Sequence, residues 1–267
     1  MKTALITGAT DGVGRVVAKR LAKDGWRVLV HGRSAERGQS LVKEIETAGG
    51  KATFLKADLA SLAEVRTLAD VVKKETAALQ LLINNAGIGS AGDRPGRRES
   101  ADGHELRFAV NYLAGFLLTH LLLPELKAGA PARIVNVSSA GQEAIDFGDV
   151  MLTHGYSGSR AYRQSKLAQI LFTVDLAGEL KDAGVIANCL HPSTYMNTTM
   201  VKQSGTTPIS SVETGADAIM QLATSPRLDG KSGLYFNVMN ESRANPQAYD
   251  AKARAALRTL SLELTGL

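Results

Sequence analysis

The fold of this chain is indicated by the stretch Leu5-Ile6-Thr7-Gly8-Ala9-Thr10-Asp11-Gly12-Val13-Gly14. Two apolar residues that suit a buried strand lead into a Gly-x-x-x-Gly-x-Gly loop, and a helical pattern follows over residues 13–24. Glycines permit a tight turn and close approach to a ligand, and the free N–H groups of a helix N-terminus bind phosphate. The stretch predicts a dinucleotide-binding loop, with a glycine turn that binds no ligand as the alternative.

The remainder of the chain alternates short apolar runs with helical patterns. Strands are predicted at residues 5–6, 27–30, 52–55, 81–83, 133–137, 185–190 and 234–236, and helices at 13–24, 35–48, 62–77, 108–126 and 161–180. This alternation implies right-handed βαβ units and a parallel sheet. We therefore predict an α/β protein: one domain over residues 1–267, a Rossmann-type, doubly wound fold with a mainly parallel sheet of about seven strands.

Composition excludes several other classes of protein. The chain has 267 residues, 44% of them hydrophobic and 21% charged, with a formal net charge of +5, which is typical of a globular domain. The densest basic group, Arg94, Arg97 and Arg98, falls in a predicted loop over residues 89–103, so we expect a solvated loop and no nucleic-acid binding. The histidines are scattered without metal-ligand spacing, so no metal site is predicted.

Cysteine usage and hydropathy bear on the cellular compartment in which the protein is expected. Cys189 is the only cysteine, so no intrachain disulfide can form, and its apolar neighbours predict a buried, inert thiol. No run of about 18 apolar residues suggests a membrane helix, and the N-terminal segment does not have the pattern of a signal peptide. We expect a cytoplasmic protein without membrane contact.

The end of the second predicted strand bears on the choice of cofactor. It reads Val30-His31-Gly32-Arg33-Ser34, without the carboxylate that usually accepts the 2′-hydroxyl of NAD. A guanidinium suits a 2′-phosphate in charge and geometry. Arg33 therefore predicts NADP(H), with an exposed loop arginine as the alternative.

A Tyr-x-x-x-Lys pattern, Tyr162 to Lys166, begins another predicted helix. Spacing of four places both side chains on one helix face. A nearby ammonium would favour the phenolate and lower the tyrosine pKa, so that the tyrosine could exchange a proton with a carbonyl or alcohol oxygen. A solvated helix face is the alternative.

Several further motifs stand in the same order as in a known family. The loop from Thr7 to Gly14, the run Asn84-Asn85-Ala86-Gly87, two serines ending a strand, and Tyr-x-x-x-Lys together resemble the short-chain dehydrogenase/reductase family from Thr3 to about Phe236. The long interval before Tyr162 and the run Asp102-Gly103-His104-Glu105 resemble its retinol-dehydrogenase-like branch.

This resemblance implies the site residues. It implies a catalytic set of Asn111, Ser139, Tyr162 and Lys166, with Ser139 favoured over Ser138. It further implies that Asn111 distorts its helix. The implied cofactor contacts are Gly8, Thr10, Asp11, Gly12, Val13, Gly14, Arg33, Asp58, Leu59, Asn85, Ala86, Gly87, Tyr162, Lys166, Pro192 and Thr194. For Asp58 a helix-capping role is the alternative, in competition with Ser61.

Two segments depart from the family pattern or extend it. Where members usually have Pro-Gly, this chain has Pro192-Ser193, and either Asn197 or Thr198 stands near the usual threonine position. We expect residues 194–211 to form a mobile lid and the insertion at 140–160 to border the substrate, with Met151 and Tyr156 as candidate contacts.

The predicted function is an NADP(H)-dependent oxidoreductase that acts on a small carbonyl or alcohol substrate. A catalytically silent NADP-binding sensor or scaffold is the main alternative, and a redox-neutral epimerase or dehydratase is a third. Family members pair through the helices that here contain Asn111 and Tyr162, so a homodimer or homotetramer is expected. The tail, residues 244–267, could complete the pocket or pack on a partner.

Overall fold

One central sheet organises the structure, a computed structural model that describes residues 1–90 and 96–267. In the described ranges it has eight strands: β1 (Thr3–Ile6), β2 (Arg27–Gly32), β3 (Lys51–Lys56), β4 (Leu81–Asn84), β5 (Ala132–Val137), β6 (Val185–His191), β7 (Tyr235–Asn237) and β8 (Asn240–Ser242). The spatial order is β3-β2-β1-β4-β5-β6-β7-β8, and all neighbours are parallel except the antiparallel pair β7–β8. The doubly wound α/β prediction is confirmed, with one more strand than expected.

Helices cover both faces of the sheet. They are α1 (Gly12–Lys23), α2 (Ala35–Thr47), α3 (Leu62–Glu75), α4 (Leu106–Phe108), α5 (Ala114–Leu121), α6 (Leu123–Ala128), α7 (Gly158–Glu179), α8 (Thr199–Gln203), α9 (Val212–Thr224) and α10 (Ala251–Thr265). Strand β1 shows why two layers are needed: Ala4 and Ile6 join the core beneath α1 and α9, whereas Leu5 joins the core beneath α3, α5 and α7. Alternate side chains of a buried strand point to opposite faces.

The strand order places the site. The chain moves outward from β1 to β3, then crosses back so that β4 pairs with the other side of β1. At such a reversal, the loops after two neighbouring strands separate and leave a crevice beyond their carboxyl ends, where ligands bind. The glycine loop after β1 and the segment after β4 border this crevice.

The helix predicted over residues 108–126 is interrupted twice. Residues Ala109–Leu113 form a wider π-helical turn between α4 and α5. Leu122 then leaves helical geometry before α6, whose first turn contains Pro124, and proline has no N–H to continue the ladder. The expected distortion at Asn111 is therefore found, and the break at Leu122 is a correction.

The C-terminal tail packs on its own chain. Helix α10 lies against α7, with Leu257 buried and the Tyr112 hydroxyl 2.7 Å from Ser261 Oγ. Arg258 donates to Asp175 of α7 at 2.6 Å. Helix α10 thus contacts both α7 and the π-helical turn that contains Tyr112. The homodimer or homotetramer stays a prediction.

The described ranges also locate the basic loop. Arg97 donates to the Met151 backbone oxygen and pairs with Glu99, while Arg98 is exposed. Arg94 lies outside the described residues. No helix in residues 1–90 and 96–267 is long and apolar enough to cross a membrane.

Candidate active site

The glycine loop joins β1 to α1 and closes tightly on the segment after β4. Gly8 has a φ of +64°, and a Cβ built there would lie 2.8 Å from Ala86 Cα. A Cβ on Gly14 would lie 2.5 Å from both the Asn85 Nδ2 and the Gly8 backbone oxygen. Real Cβ atoms do not come so close to another chain segment, so both positions require glycine. The loop is therefore built for close backbone approach.

Thr7 fastens this loop to the next strand. Its hydroxyl oxygen accepts hydrogen bonds from the backbone N–H groups of Asn85 and Ala86, each at 3.0 Å. The Asn85 side chain donates to the backbone oxygens of Thr7 and Gly8 at 2.9 and 3.1 Å. The Asn85 amide thus supports the glycine loop from within the protein, and the cofactor contact of Asn85 stays a prediction.

His31 supports the loop from the other side and was not singled out from sequence. The Gly8 N–H donates to His31 Nδ1 at 3.3 Å, and His31 Nε2 lies 3.1 Å from the Ala57 oxygen. Since Nδ1 accepts, the ring is neutral with its proton on Nε2. Burial lowers the pKa of His31 to about 4. A polar residue inside an apolar strand was the signal in the sequence.

Asp11 has a structural role that the sequence prediction missed. Its carboxylate accepts from the Gly12 N–H at 2.7 Å, as the N-cap of α1, and lies 3.5 Å from Arg37. The side chain of Asp11 thus caps α1 and pairs with Arg37, and the cofactor contact of Asp11 stays a prediction.

The predicted cofactor contact Arg33 lies at the carboxyl end of β2. This residue follows β2 immediately and is exposed, and its charge lies close enough to His31 to contribute to lowering that pKa. Asp58 accepts from the Ala60 N–H at 3.0 Å, whereas Ser61 accepts from the Glu64 N–H as the cap of α3. The capping alternative for Asp58 is thus wrong. Leu59 beside it is buried.

The remaining loop positions pack against three different neighbours. Thr10 is buried against Gly32, where a Cβ would meet the threonine side chain at 2.4 Å. Val13 packs into the core beneath α1 and α9. Gly12 faces the lid, since a Cβ there would lie 3.2 Å from Thr198 Cγ2. The lid therefore meets the glycine loop at Thr198.

Ser139 and Tyr162 meet at the mouth of the crevice. Ser139 follows β5, and Tyr162 lies in the first turns of α7. A Cβ on Gly141 would lie 3.5 Å from Ser139 Oγ and 3.8 Å from Tyr162 Cε1, so both side chains border that glycine. Burial raises the pKa of Tyr162, and a hydrogen bond with the Ser139 hydroxyl opposes the rise.

Ser138 faces away from this group. Its hydroxyl is buried and donates to the Lys166 backbone oxygen at 2.7 Å, fastening α7 to the end of β5. The Ser139 hydroxyl is instead on the side of Tyr162. The geometry agrees with the preference for Ser139.

Lys166 lies on the tyrosine side of α7, with Nζ 6.0 Å from the centre of the Tyr162 ring. Nζ donates to the Val137 oxygen and to Gln169 Oε1, both at 2.9 Å. Burial lowers the pKa of Lys166 to about 7. The expectation that Lys166 lowers the tyrosine pKa is not supported by this arrangement, where burial dominates the pKa values of both groups.

Asn111 connects the π-helical turn to the segment after β4. Its Oδ1 accepts from the Ile88 N–H at 2.8 Å, and its Nδ2 donates to Ser165 Oγ at 2.9 Å. A Cβ on Gly87 would lie 3.2 Å from Asn111 Oδ1 and 3.4 Å from Lys166 Nζ. The structure therefore brings Asn111, Ser139, Tyr162 and Lys166 together around Gly87 and Gly141.

The insertion borders the site, but its two candidate substrate contacts are engaged elsewhere. The Tyr156 hydroxyl accepts from Arg107 at 2.6 Å and donates to Glu105 at 3.1 Å. The Met151 sulfur accepts from the Glu105 N–H at 3.4 Å. The prediction for Tyr156 and Met151 is corrected: both fasten the insertion to the start of α4.

Hydrogen bonds hold the start of the segment predicted to form a lid, residues 194–211, and the lid itself stays a prediction. His191 Nε2 lies 3.0 Å from Thr194 Oγ1, and Ser210 donates to the Thr194 oxygen at 2.7 Å. Pro192 is buried and Thr194 is exposed, so the Thr194 hydroxyl would have to exchange partners to reach a cofactor. Thr198 caps α8 through its hydroxyl.

Two other predictions concern side chains with no part in this site. Cys189 is fully buried, and burial raises the pKa of its thiol to about 12, which confirms an inert cysteine. Within residues 1–90 and 96–267, no three His, Cys, Asp or Glu side chains are grouped to hold a metal ion.

Comparison with known proteins gives the class. The sequence profile of the family described as short chain dehydrogenase matches residues 2–208. The chain thus belongs to the short-chain dehydrogenase/reductase family, with which the fold and the Tyr-x-x-x-Lys arrangement agree.

Particular relatives refine this class. Retinol dehydrogenase 13 of Mus musculus is 37% identical over 285 residues, which cover 100% of this chain and 84% of the relative. An uncharacterized protein from Mycobacterium paratuberculosis superposes with a TM-score of 0.81 at 30% identity, over 100% of this chain and 94% of that one. A short chain dehydrogenase from Burkholderia cenocepacia J2315 in complex with NADP has a TM-score of 0.71 at 28% identity, over 89% and 96% of the two chains. The chain is retinol-dehydrogenase-like.

Proposed function

We propose that this protein is an NADP(H)-dependent oxidoreductase that interconverts an alcohol and a carbonyl compound, with Tyr162 as general acid and base. The observation that carries the proposal is that Ser139 and Tyr162 meet beside Gly141, with Lys166 Nζ 6.0 Å from the centre of the Tyr162 ring, in a sheet whose strand order reverses between β1 and β4. A silent sensor would not require an acid–base group aligned with a buried ammonium.

The residues present fit a dinucleotide. Gly8 and Gly14 let the loop close tightly on the segment after β4, and the N-terminus of α1 provides N–H groups and a positive dipole end for the pyrophosphate. Arg33 is exposed at the carboxyl end of β2, where its guanidinium suits a 2′-phosphate. An NADP complex of a structural neighbour supports the same choice.

Bound nicotinamide would supply or accept the hydride. In the reductive direction, the Ser139 hydroxyl donates a hydrogen bond to the substrate oxygen and holds it near Tyr162. Tyr162 then gives its proton to that oxygen, and oxidation of an alcohol reverses the transfer. The raised pKa of Tyr162 keeps the phenol protonated and ready for reduction. Lys166 would hold the ribose hydroxyls of the bound cofactor.

The substrate class is proposed to be a lipophilic alcohol or aldehyde. The lid exposes Tyr195, Met200 and Ile209, and the insertion exposes Phe147. Exposed apolar side chains at the two segments that border the crevice suit an apolar substrate tail. A relative bears the name retinol dehydrogenase, which supports this class.

The test compares Tyr162→Phe with Tyr156→Phe. NADPH binding is followed by fluorescence, and turnover of retinal, aliphatic and aromatic aldehydes by nicotinamide absorbance. We expect Tyr162→Phe to lose at least about 100-fold in turnover with nearly unchanged NADPH binding. Tyr156→Phe should keep most of the activity, since that hydroxyl only joins Arg107 to Glu105. Full activity in Tyr162→Phe would refute the assigned acid.

A further inference from the structure

The Lys166 ammonium has a buried partner that the catalytic set does not include. An ammonium has three N–H donors, and two of them are directed to Val137 and Gln169 oxygens at 2.9 Å. We propose that Gln169 is a positioning residue, whose amide oxygen holds the Lys166 ammonium charged and leaves its third donor for the crevice beside Gly87 and Tyr162. The effect of Gln169 on turnover rests on the proposed function, whereas the contact between Gln169 and Lys166 does not.

Gln169 is itself held rigidly. Its side chain is buried, and its backbone oxygen accepts from the Thr173 hydroxyl at 2.7 Å. Asn136 of β5 donates to Thr173 at 2.8 Å, and Asn84 of β4 donates to Asn136 at 2.8 Å. This buried chain of hydrogen bonds fixes the turn of α7 that carries Gln169 against two strands. The backbone that carries the Gln169 amide is therefore fixed, and the amide oxygen reaches Lys166 Nζ from it.

The surroundings of Lys166 make that acceptor important. The groups facing Nζ from β5, from the segment after β4 and from the π-helical turn are the Val137 oxygen, Gly87 and Asn111, all uncharged. The titratable neighbour on its own helix is Tyr162. Burial opposes the charged form, so hydrogen-bond acceptors for the ammonium, and not an opposite charge, are what favour it.

Two substitutions should move the Lys166 pKa in opposite directions. Gln169→Leu removes an acceptor from the charged form and should lower that pKa by about one unit, whereas Gln169→Glu offers a carboxylate and should raise it. Gln164→Leu is the matched control, because Gln164 is also buried in α7 but donates to the Ala144 oxygen. If Gln169→Leu does not fold, Gln169→Asn replaces it, because asparagine keeps the amide but has a shorter side chain that does not reach Lys166 as well.

The primary measurement is 13C NMR titration of the lysine Cε resonances in the full chain, with Lys166 assigned by its loss in Lys166→Ala. The second is the pH profile of kcat for aldehyde reduction, whose basic limb should move to lower pH in Gln169→Leu and to higher pH in Gln169→Glu. Unchanged Lys166 titration in both Gln169 variants, or shifts equal to those of Gln164→Leu, would overturn the inference. If the Lys166 pKa moves in opposite directions in Gln169→Leu and Gln169→Glu while the wild type shows no turnover, the contact is upheld and the proposed function is refuted instead.

Discussion

Protonation of His31 is expected to destabilise the glycine loop in mild acid. The ring is 2% exposed, accepts from the Gly8 N–H at Nδ1 and contacts the Ala57 oxygen through Nε2. An imidazolium carries protons on both nitrogens and cannot accept at Nδ1. Protonation therefore breaks the Gly8 contact and places a charge in a buried position.

The magnitude follows from the shift in pKa. Burial lowers the pKa of His31 from 6.5 to about 4, so between these values the unfolded chain binds more protons than the folded one. The stability contributed by neutral His31 is complete above pH 6.5, falls as the pH decreases, and is lost by about pH 4. At ~1.4 kcal/mol per pKa unit, the loss is about 2 kcal/mol at pH 5 and about 3 kcal/mol in full.

The assay compares urea unfolding of the wild type and His31→Gln at pH 7 and pH 5. A glutamine can accept from Gly8 and donate to Ala57 without titrating, so the variant should lose about 2 kcal/mol less than the wild type over this interval. NADPH affinity, measured by fluorescence at the same two pH values, should weaken more in the wild type. Equal losses of unfolding free energy in the two proteins would refute the reasoning.

Three other substitutions test separate parts of the site. Arg33→Asp should shift the ratio of kcat/KM for NADPH and NADH toward NADH by at least about tenfold, and an unchanged ratio would assign the 2′-phosphate to another residue. Ser139→Ala should lower kcat about 100-fold. Ser138→Ala removes a hydrogen bond to the α7 backbone and should chiefly lower thermal stability. Equal losses of kcat in the two variants would contradict the assignment of Ser139. Gly14→Ala places a Cβ 2.5 Å from a backbone oxygen of the glycine loop, so it should weaken NADPH binding and lower the free energy of unfolding by about 1–3 kcal/mol. Gly178→Ala meets nothing within 4 Å and should leave both NADPH affinity and the free energy of unfolding unchanged in the same assays.

The site was predictable where chemistry imposes a spacing. Tyr162 and Lys166 are four apart on one helix, and the glycine loop directly follows the first strand, so local periodicity was sufficient to place them. Asp11 and Asn85 were assigned to the cofactor, yet their side chains cap a helix and hold a loop. A polar side chain near a binding loop has several available partners, and sequence does not rank them.

Hydrogen-bond partners that are distant in the chain could not be predicted from the sequence for a related reason. Tyr156 is engaged by residues about 50 positions earlier in the chain, and α10 packs on α7 through Arg258 and Asp175, which are 83 positions apart. Gln169 carries a weak local signal, because residues three apart on a helix are neighbours, but many such pairs make no contact. These interactions depend on how the layers pack.

By itself, the sequence determined the strand–helix alternation, the dinucleotide loop and the identity of the proposed acid–base pair, because each depends on residues close together in the chain. Only the tertiary structure decided that Ser139 and not Ser138 faces Tyr162, that His31 supports Gly8, and that burial dominates the pKa values of Tyr162 and Lys166. Side-chain direction, burial and the choice among competing hydrogen-bond partners arise when the sheet and its two helical layers come together, so no local pattern encodes them.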